Sequence, residues 1–343
     1  MMSPMSSDFG GRNFDESSAR DRTRQILKCS SEDDSMPLGI RPTVDFAFKK
    51  IFGSPQNSAA LIGLLNAILD LERPIASVEI LNPFSYQEFS ESKLVVLDVR
   101  CQDSEGHWLN VEMQVSVYAG LIERLVYYAC GMYVDQLSKG GNYALAAPSI
   151  SICLLNRILF SDSEQPHHRF QMLDRESGRE LSNAIEVHTV ELTKYHLDER
   201  SIPHASKLQQ WAFLLLFAQD YDAKTLRRLL TGIEFETAIS TIEVISAKTE
   251  DKLMYDQREK AQRDYEWAIS GAREEGREEG REEGREEGEQ LGLAKGKLAG
   301  KIQILQDLLG EVPANDASLS SLSVDVLTSQ LAELQQRLRD RQA

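Results

Sequence analysis

The chain has 343 residues, of which 41% are hydrophobic and 27% are charged, a composition typical of a globular protein with a buried core. Its formal net charge of -16 argues against attraction of nucleic acid by a generally basic surface. Binding to DNA would therefore need a locally positive or metal-charged site. Four widely spaced cysteines without a C-x-x-C pair argue against zinc and disulfides and favour a reducing, cytoplasmic location. The sequence shows no 18-residue apolar run and no signal peptide, which predicts no membrane span.

The predicted elements place helices before, between and after a set of strands. Residues 1–39 are rich in Ser, Asp, Gly and Arg and are expected to be disordered. Helices are predicted at 43–53, with Thr43 as the N-cap, at 58–71 and at 120–137. Strands are predicted at 75–84, 94–102, 107–117, 148–156, 169–173 and 184–192, with the apolar strand 148–156 central in the sheet. His167 and His168 lie in a polar stretch that is expected to form a solvated loop.

From about residue 204 the strand pattern stops and the sequence becomes helical, which predicts an α/β fold with an all-helical C-terminal region. We divide the chain into a tail at 1–39, an α/β domain at 40–200, a helical region at 201–270 and a repeat region at 271–343.

The repeat region contains four copies of Arg-Glu-Glu-Gly at residues 273–288. Glycine at every fourth position costs a helix up to about 1 kcal/mol each, whereas Glu and Arg three residues apart support one. The segment is expected to form either a self-association stripe or a flexible spacer. Leucines 327, 331, 334 and 338 share one helix face. We therefore expect homo-oligomerisation through the C-terminal helices.

The strands at 94–102 and 107–117 carry acids on a face that alternates with apolar residues. A three-residue loop, Ser104 to Gly106, would place Asp98 directly opposite Glu112 on the same face. Their Cβ atoms would then lie roughly 5 Å apart, close enough to share one hard divalent cation and too close for two bare anions. Gln114 lies on the same face, and the Met113 carbonyl is a possible further ligand.

These residues resemble a known nuclease family. The segments TVDFAFKKIFGS, LIGLLNAIL, VEILNPF, LDVRCQD, NVEMQVS and RLVYYA, in this order over residues 41 to 195, resemble the Rpn-type recombination-promoting nuclease and transposase family of the PD-(D/E)XK superfamily. The resemblance implies a PD-(D/E)XK-like mixed sheet flanked by helices, with an αβββαβ core. It also implies a divalent-metal-dependent DNA endonuclease in which Asp98 and Glu112 bind the metal and Gln114 occupies the lysine position. Asp45 matches the acid of the first core helix that joins the metal site in this family, against the alternative that it caps the helix.

For several further residues, both a role in binding the substrate and a purely structural role are considered. The candidates for binding substrate phosphate are Lys49, Lys93, Arg124 and Tyr127. The structural alternatives are a surface position for the two lysines, an ion pair for Arg124 and a position at the edge of the core for Tyr127. The expected cofactor is Mg²⁺, or Mn²⁺ or Ca²⁺, with DNA as partner, no membrane and no organic cofactor. Because glutamine lacks the charge of lysine, the alternative is a catalytically weak or inactive DNA-transaction scaffold that self-associates through its helical tail.

Overall fold

The computed structural model describes residues 36–69, 71, 73–86, 98–137 and 142–342. Most of the predicted N-terminal tail, and Lys93, therefore lie outside the described residues. The chain divides into two compact units, Met1–Asp256 and Gln257–Ala343. No helix of the described ranges combines the length and the apolar character needed to cross a bilayer.

The first unit follows the predicted order of helices and strands. Its helices are α1 (Asp45–Phe52), α2 (Ser58–Leu69), α3 (Leu121–Asp135), α4 (Lys207–Phe217), α5 (Ala223–Leu229) and α6 (Ile233–Ala247). Its strands are β1 (Val78–Ile80), β2 (Asp98–Asp103), β3 (Trp108–Gln114), β4 (Ser149–Leu155), β5 (His167–Leu173) and β6 (Glu180–Glu191). Helix α7 (Thr249–Leu308) contains the boundary between the units.

The strands form one mixed sheet in the order β1-β2-β3-β4-β6-β5. Strands β1, β2 and β3 are antiparallel neighbours, whereas β4 is parallel to both β3 and β6. Strand β4 is buried along its whole length, as expected for a strand with a neighbour on each side and helices on both faces. Its predicted central position is confirmed.

The two faces of the sheet are covered by different helices. Val111, Ile152 and Val190 belong to the main core, which also contains apolar residues of α1, α2, α4 and α6. The opposite face is covered by α3, where Leu121 and Leu125 pack with Cys153 in a smaller cluster. Because side chains alternate along a strand, the residues between those of the main core face α3. Asp98 and Glu112 are among them.

Two local predictions were wrong. Helix α1 begins at Asp45 with Val44 at the N-cap and no capping side chain, so Thr43 does not cap it. The Asp45 carboxylate instead accepts the amide of Phe46 at 2.7 Å, which satisfies a donor of the first turn. His167 and His168 lie in strand β5 rather than in a loop, because they pair with Val190 and Thr189 of the longer strand β6.

The second unit is helical and has its own apolar cluster. It contains the C-terminal part of α7, the short helix α8 (Asp316–Ser320) and helix α9 (Val324–Gln342). Leu327 and Leu334 of α9 are buried against Ile302 and Leu319. Three leucines of the face that predicted contact with another chain, Leu327, Leu331 and Leu334, are therefore packed within this one. The repeat segment is helical and forms part of α7.

Candidate active site

The hairpin β2–β3 fixes the spacing of the two acids. Asp98 pairs with Glu112 and Val99 with Val111, which is the register predicted from the sequence. The turn is closed by the Asp103 amide, which donates to the His107 carbonyl at 3.2 Å, and Gly106 has a φ of +90°. The Asp103 carboxylate also accepts the amides of Glu105 and His107 at 2.9 Å each. A turn held this tightly prevents a slip that would move the acids to the other face.

Glu112 is a buried carboxylate, 1% exposed, that accepts three hydrogen bonds. Asn110 Nδ2 donates to Oε1 at 3.0 Å, Gln114 Nε2 donates to Oε2 at 3.2 Å, and Arg124 Nη2 donates to Oε2 at 3.0 Å. Asn110 and Gln114 reach Glu112 because residues two apart on a strand share a face. These donors offset the large cost of burying a charge.

Asp98 is 6% exposed and has a different set of partners. Arg100 Nε donates to its Oδ2 at 2.9 Å, and Asn82 Nδ2 lies 3.4 Å from Oδ1. Asn82 also accepts the Arg100 amide at 2.7 Å, so the segment after β1 supports β2 through one side chain. Each of the two acids is thus paired with its own arginine.

Arg124 lies in the first turn of α3, between Glu112 and two aromatic rings. Its guanidinium carbon is 5.4 Å from the ring centroid of Tyr118 and 5.6 Å from that of Tyr128. Burial works to lower the pKa of this guanidinium, but the charge and hydrogen bond of Glu112, together with the neighbouring Tyr118 and Tyr128, raise the pKa above its ordinary value. Arg124 is therefore a permanent cation at the site. Tyr127 is 73% exposed and contacts the neighbouring ring of Tyr128, with 6.0 Å between centroids.

Cys153 lies beside Glu112 in the parallel pair β3–β4. Burial, reinforced by the charge of Glu112, raises the pKa of its thiol well above the ordinary value. The thiol is therefore protonated at neutral pH and is a poor nucleophile.

The structure brings together Asp98, Glu112, Gln114 and Arg124 of the predicted site residues. Asp45 opens α1, which packs against β2, and its role in a metal site stays a prediction. The residue Met113 is fully buried on the face opposite Glu112, and a role for its carbonyl is likewise untested. Lys49 is 3% exposed, and its predicted contact with phosphate stays a prediction.

Sequence reasoning missed Asn110, Arg100, Tyr118, Tyr128 and Asn82 as partners in the site. Asn110 and Arg100 could have been found, because each lies two residues from an acid on the same strand face. Tyr128 follows Arg124 by four residues, a spacing that brings helical side chains together, as the three residues to Tyr127 also do. Asn82 and Tyr118 lie outside the regular elements, and their contacts follow from the tertiary fold.

The donor set fits a hard divalent cation that keeps part of its water shell. Mg²⁺ is commonly held by one or two carboxylates, with water completing its coordination. Asp98 and Glu112 supply two carboxylates on adjacent strands, and Asn110 Oδ1, buried next to Glu112, has no hydrogen-bond partner among the described residues. Within the described ranges, no group of three or more His, Cys, Asp and Glu side chains is arranged to hold a metal ion. Water and amide oxygens would therefore have to complete the shell.

A second buried polar cluster lies on the other face of the sheet. Glu186 accepts from Arg169 at 2.8 Å, from Gln171 at 2.8 Å and from His188, whose second ring nitrogen lies 2.8 Å from His167 Nε2. Burial works against ionisation of Glu186, but the hydrogen bonds from His188 and Arg169 lower its pKa to about 2. Burial and the neighbouring His188 lower the pKa of His167 to about 4.

The mixed sheet, the helices on both faces and the acids on adjacent strands are consistent with the PD-(D/E)XK class of nuclease folds. A family model described as a PD-(D/E)XK nuclease family transposase matches residues 42–272, more than half of the chain. The chain belongs to this family. The match extends beyond the α/β part into helix α7. No curated protein and no solved structure shows a significant match to the chain.

Proposed function

We propose that this protein is a divalent-cation-dependent DNA endonuclease that acts in recombination or in the movement of mobile DNA. The observation that carries the proposal is the direct pairing of Asp98 and Glu112 on adjacent strands, both buried and both facing α3. Membership of a nuclease family supports DNA as the substrate.

Each residue of the site has its own role in the proposed hydrolysis. Asp98 and Glu112 would hold Mg²⁺, Mn²⁺ or Ca²⁺, and the bound ion would supply charge stabilisation and an activated water. Gln114, partly exposed beside Glu112, would orient that water through its amide. Asn110 keeps Glu112 in place by donating to Oε1. The guanidinium of Arg124 has the planar shape that matches phosphate oxygens.

Plasmid cleavage with each of the three ions tests this proposal. Glu112→Gln and Asp98→Asn keep the shape of the side chains and remove one charge each, so we expect each to reduce the rate at least about a hundredfold. Glu186→Gln is the matched control, because Glu186 is also a buried strand carboxylate paired with an arginine. Equal rates for wild type and Glu112→Gln would refute the enzyme proposal.

A second proposal is a DNA-associated scaffold without catalytic activity. It is favoured by Gln114, which lacks the charge of lysine, and by the arginine already paired with each acid. Under this proposal the wild-type protein binds DNA and shows no cation-dependent cleavage, while Glu112→Gln binds DNA equally well.

Self-association and location complete the proposal. The C-terminal leucines are occupied within the chain, so we propose that copies associate through the repeat segment of α7, where a Cβ added at Gly276, Gly280 or Gly284 meets nothing within 4 Å. Light scattering of the full chain and of a Gly280→Glu variant tests this, since an equal mass for both contradicts it.

The free thiols of Cys101 and Cys153 support a reducing, cytoplasmic location.

A further inference from the structure

Arg124 is an incompletely satisfied cation. Its Nη2 reaches Glu112, while its buried Nε has no hydrogen-bond partner among the described residues. The side chain of Arg124 is 32% exposed and that of Glu112 is 1% exposed. The guanidinium therefore lies between the buried acid and solvent, beside the rings of Tyr118 and Tyr128.

The hydrogen bonds of Glu112 leave little room for a cation at Oε2. A carboxylate offers about four acceptor sites, and Glu112 uses two of them at Oε2 for Gln114 and Arg124. Oε1 accepts one bond, from Asn110. A cation that binds Oε2 must displace one of the two donors there.

Of these two donors, Arg124 is the one that a divalent cation would displace. It carries a positive charge, which repels the incoming ion, whereas the amide of Gln114 is neutral. It also reaches Glu112 from a different element, by a long side chain with several rotatable bonds. Gln114 is held two residues from Glu112 on the same strand.

We propose that Arg124 is an internal counter-ion of Glu112, which a divalent cation displaces and which then binds a phosphate of the DNA. This inference rests on the proposed function, because it assumes the cation site. The displaced guanidinium is already partly exposed, and its fork of donors suits a phosphate. Cation binding and DNA binding are then positively coupled, each strengthening the other by the same factor.

The displacement of Arg124 by the cation is tested by direct Mn²⁺ binding, measured by calorimetry and by electron paramagnetic resonance. Removing a charge-assisted competitor in Arg124→Gln should tighten Mn²⁺ binding about tenfold. Arg124→Lys keeps the charge and should stay near the wild-type value. Arg228→Gln is the control for loss of one positive charge, because Arg228 pairs with Glu199 at 3.3 Å and not with the site.

The second step is tested by DNA binding, measured by fluorescence anisotropy with a cleavage-resistant phosphorothioate duplex. Mg²⁺ should strengthen DNA binding by the wild-type protein and have a much smaller effect on Arg124→Gln. Should Arg124→Gln fail to fold, nitrogen-15 spectra of the wild-type protein replace it. The Arg124 Nε signal, assigned by its loss in Arg124→Lys, should then shift as Mg²⁺ is added, and an unmoved signal overturns the inference.

The outcomes separate the two proposals. If wild type binds Mn²⁺ and Arg124→Gln binds it no more tightly, the counter-ion inference is wrong and the endonuclease proposal stands. If neither protein binds Mn²⁺, the cation site itself is wrong, and both proposals fail together.

Discussion

Gly63 of helix α2 packs directly against Glu234 of helix α6, and Gly63→Ala tests that packing. A Cβ added at Gly63 would lie 2.4 Å from Cβ and 2.7 Å from Cγ of Glu234, and 3.4 Å from the ring of Trp211. Carbon atoms in contact prefer about 3.5 to 4.0 Å, so α6 would have to move by about 1 Å. The Cβ of Glu234 is fixed to its backbone and cannot rotate away.

Two effects of opposite sign decide the stability of Gly63→Ala. Alanine favours a helix over glycine by up to about 1 kcal/mol, whereas overpacking a core contact costs about 1–3 kcal/mol. Because the contact here is backbone-anchored, we take the upper end of that cost and expect a net loss of about 2 kcal/mol. For a unit of this size, the midpoint of thermal unfolding should fall by about 4–8 °C.

Gly131→Ala is the matched control in helix α3, where an added Cβ meets nothing within 4 Å. It should gain the helix preference alone and stabilise the protein by about 0.5–1 kcal/mol. Thermal and urea unfolding, followed by circular dichroism, measure both variants. A Gly63→Ala protein as stable as the wild type would show that α2 and α6 do not approach this closely.

Three further predictions concern other parts of the molecule. The free energy of unfolding should fall as the pH drops from 6.5 to about 4, because His167 binds a proton in the unfolded chain but stays neutral in the folded protein. It should fall further from pH 4.5 to about 2, where the Glu186 carboxylate of the folded protein becomes protonated and loses its pairing. In His167→Asn, the free energy of unfolding measured with urea should not change with pH between 6.5 and 4. A wild-type free energy of unfolding that is constant over this range would contradict the role given to His167. Leu327→Ala should destabilise the C-terminal unit by about 2–5 kcal/mol, because Leu327 is fully buried. Hydrogen exchange should show the loss in helix α9, and unchanged exchange there would contradict the packing. Gln114→Lys should raise the single-turnover cleavage rate about tenfold, because an ammonium stabilises developing negative charge better than an amide; a slower rate would indicate that the bond from Gln114 to Glu112 is itself needed.

The β2–β3 hairpin shows how much of the site could be predicted from the sequence alone. Alternation of apolar and polar residues, together with a short loop that ends in Gly106, was sufficient to predict that Asp98 faces Glu112. Both signals are local, since they depend on residues within one hairpin. The same kind of local pattern predicted the central position of β4 and the succession of helices after the sheet.

Contacts between distant elements could not be predicted in this way. Arg124 was placed near the site by sequence, but its pairing with Glu112 depends on how α3 crosses the sheet. The strand character of His167 depends on β6, which supplies its partners from more than twenty residues away.

The sequence by itself determined the strand faces, the register of the acids and the helical character of the C-terminal region, because each follows from the spacing of neighbouring residues. Tertiary structure decided which charges neutralise the two acids and whether the leucines of α9 pack within the chain. The physical reason is that burial and pairing energies depend on which surfaces meet, and in this chain those surfaces come from segments far apart in sequence.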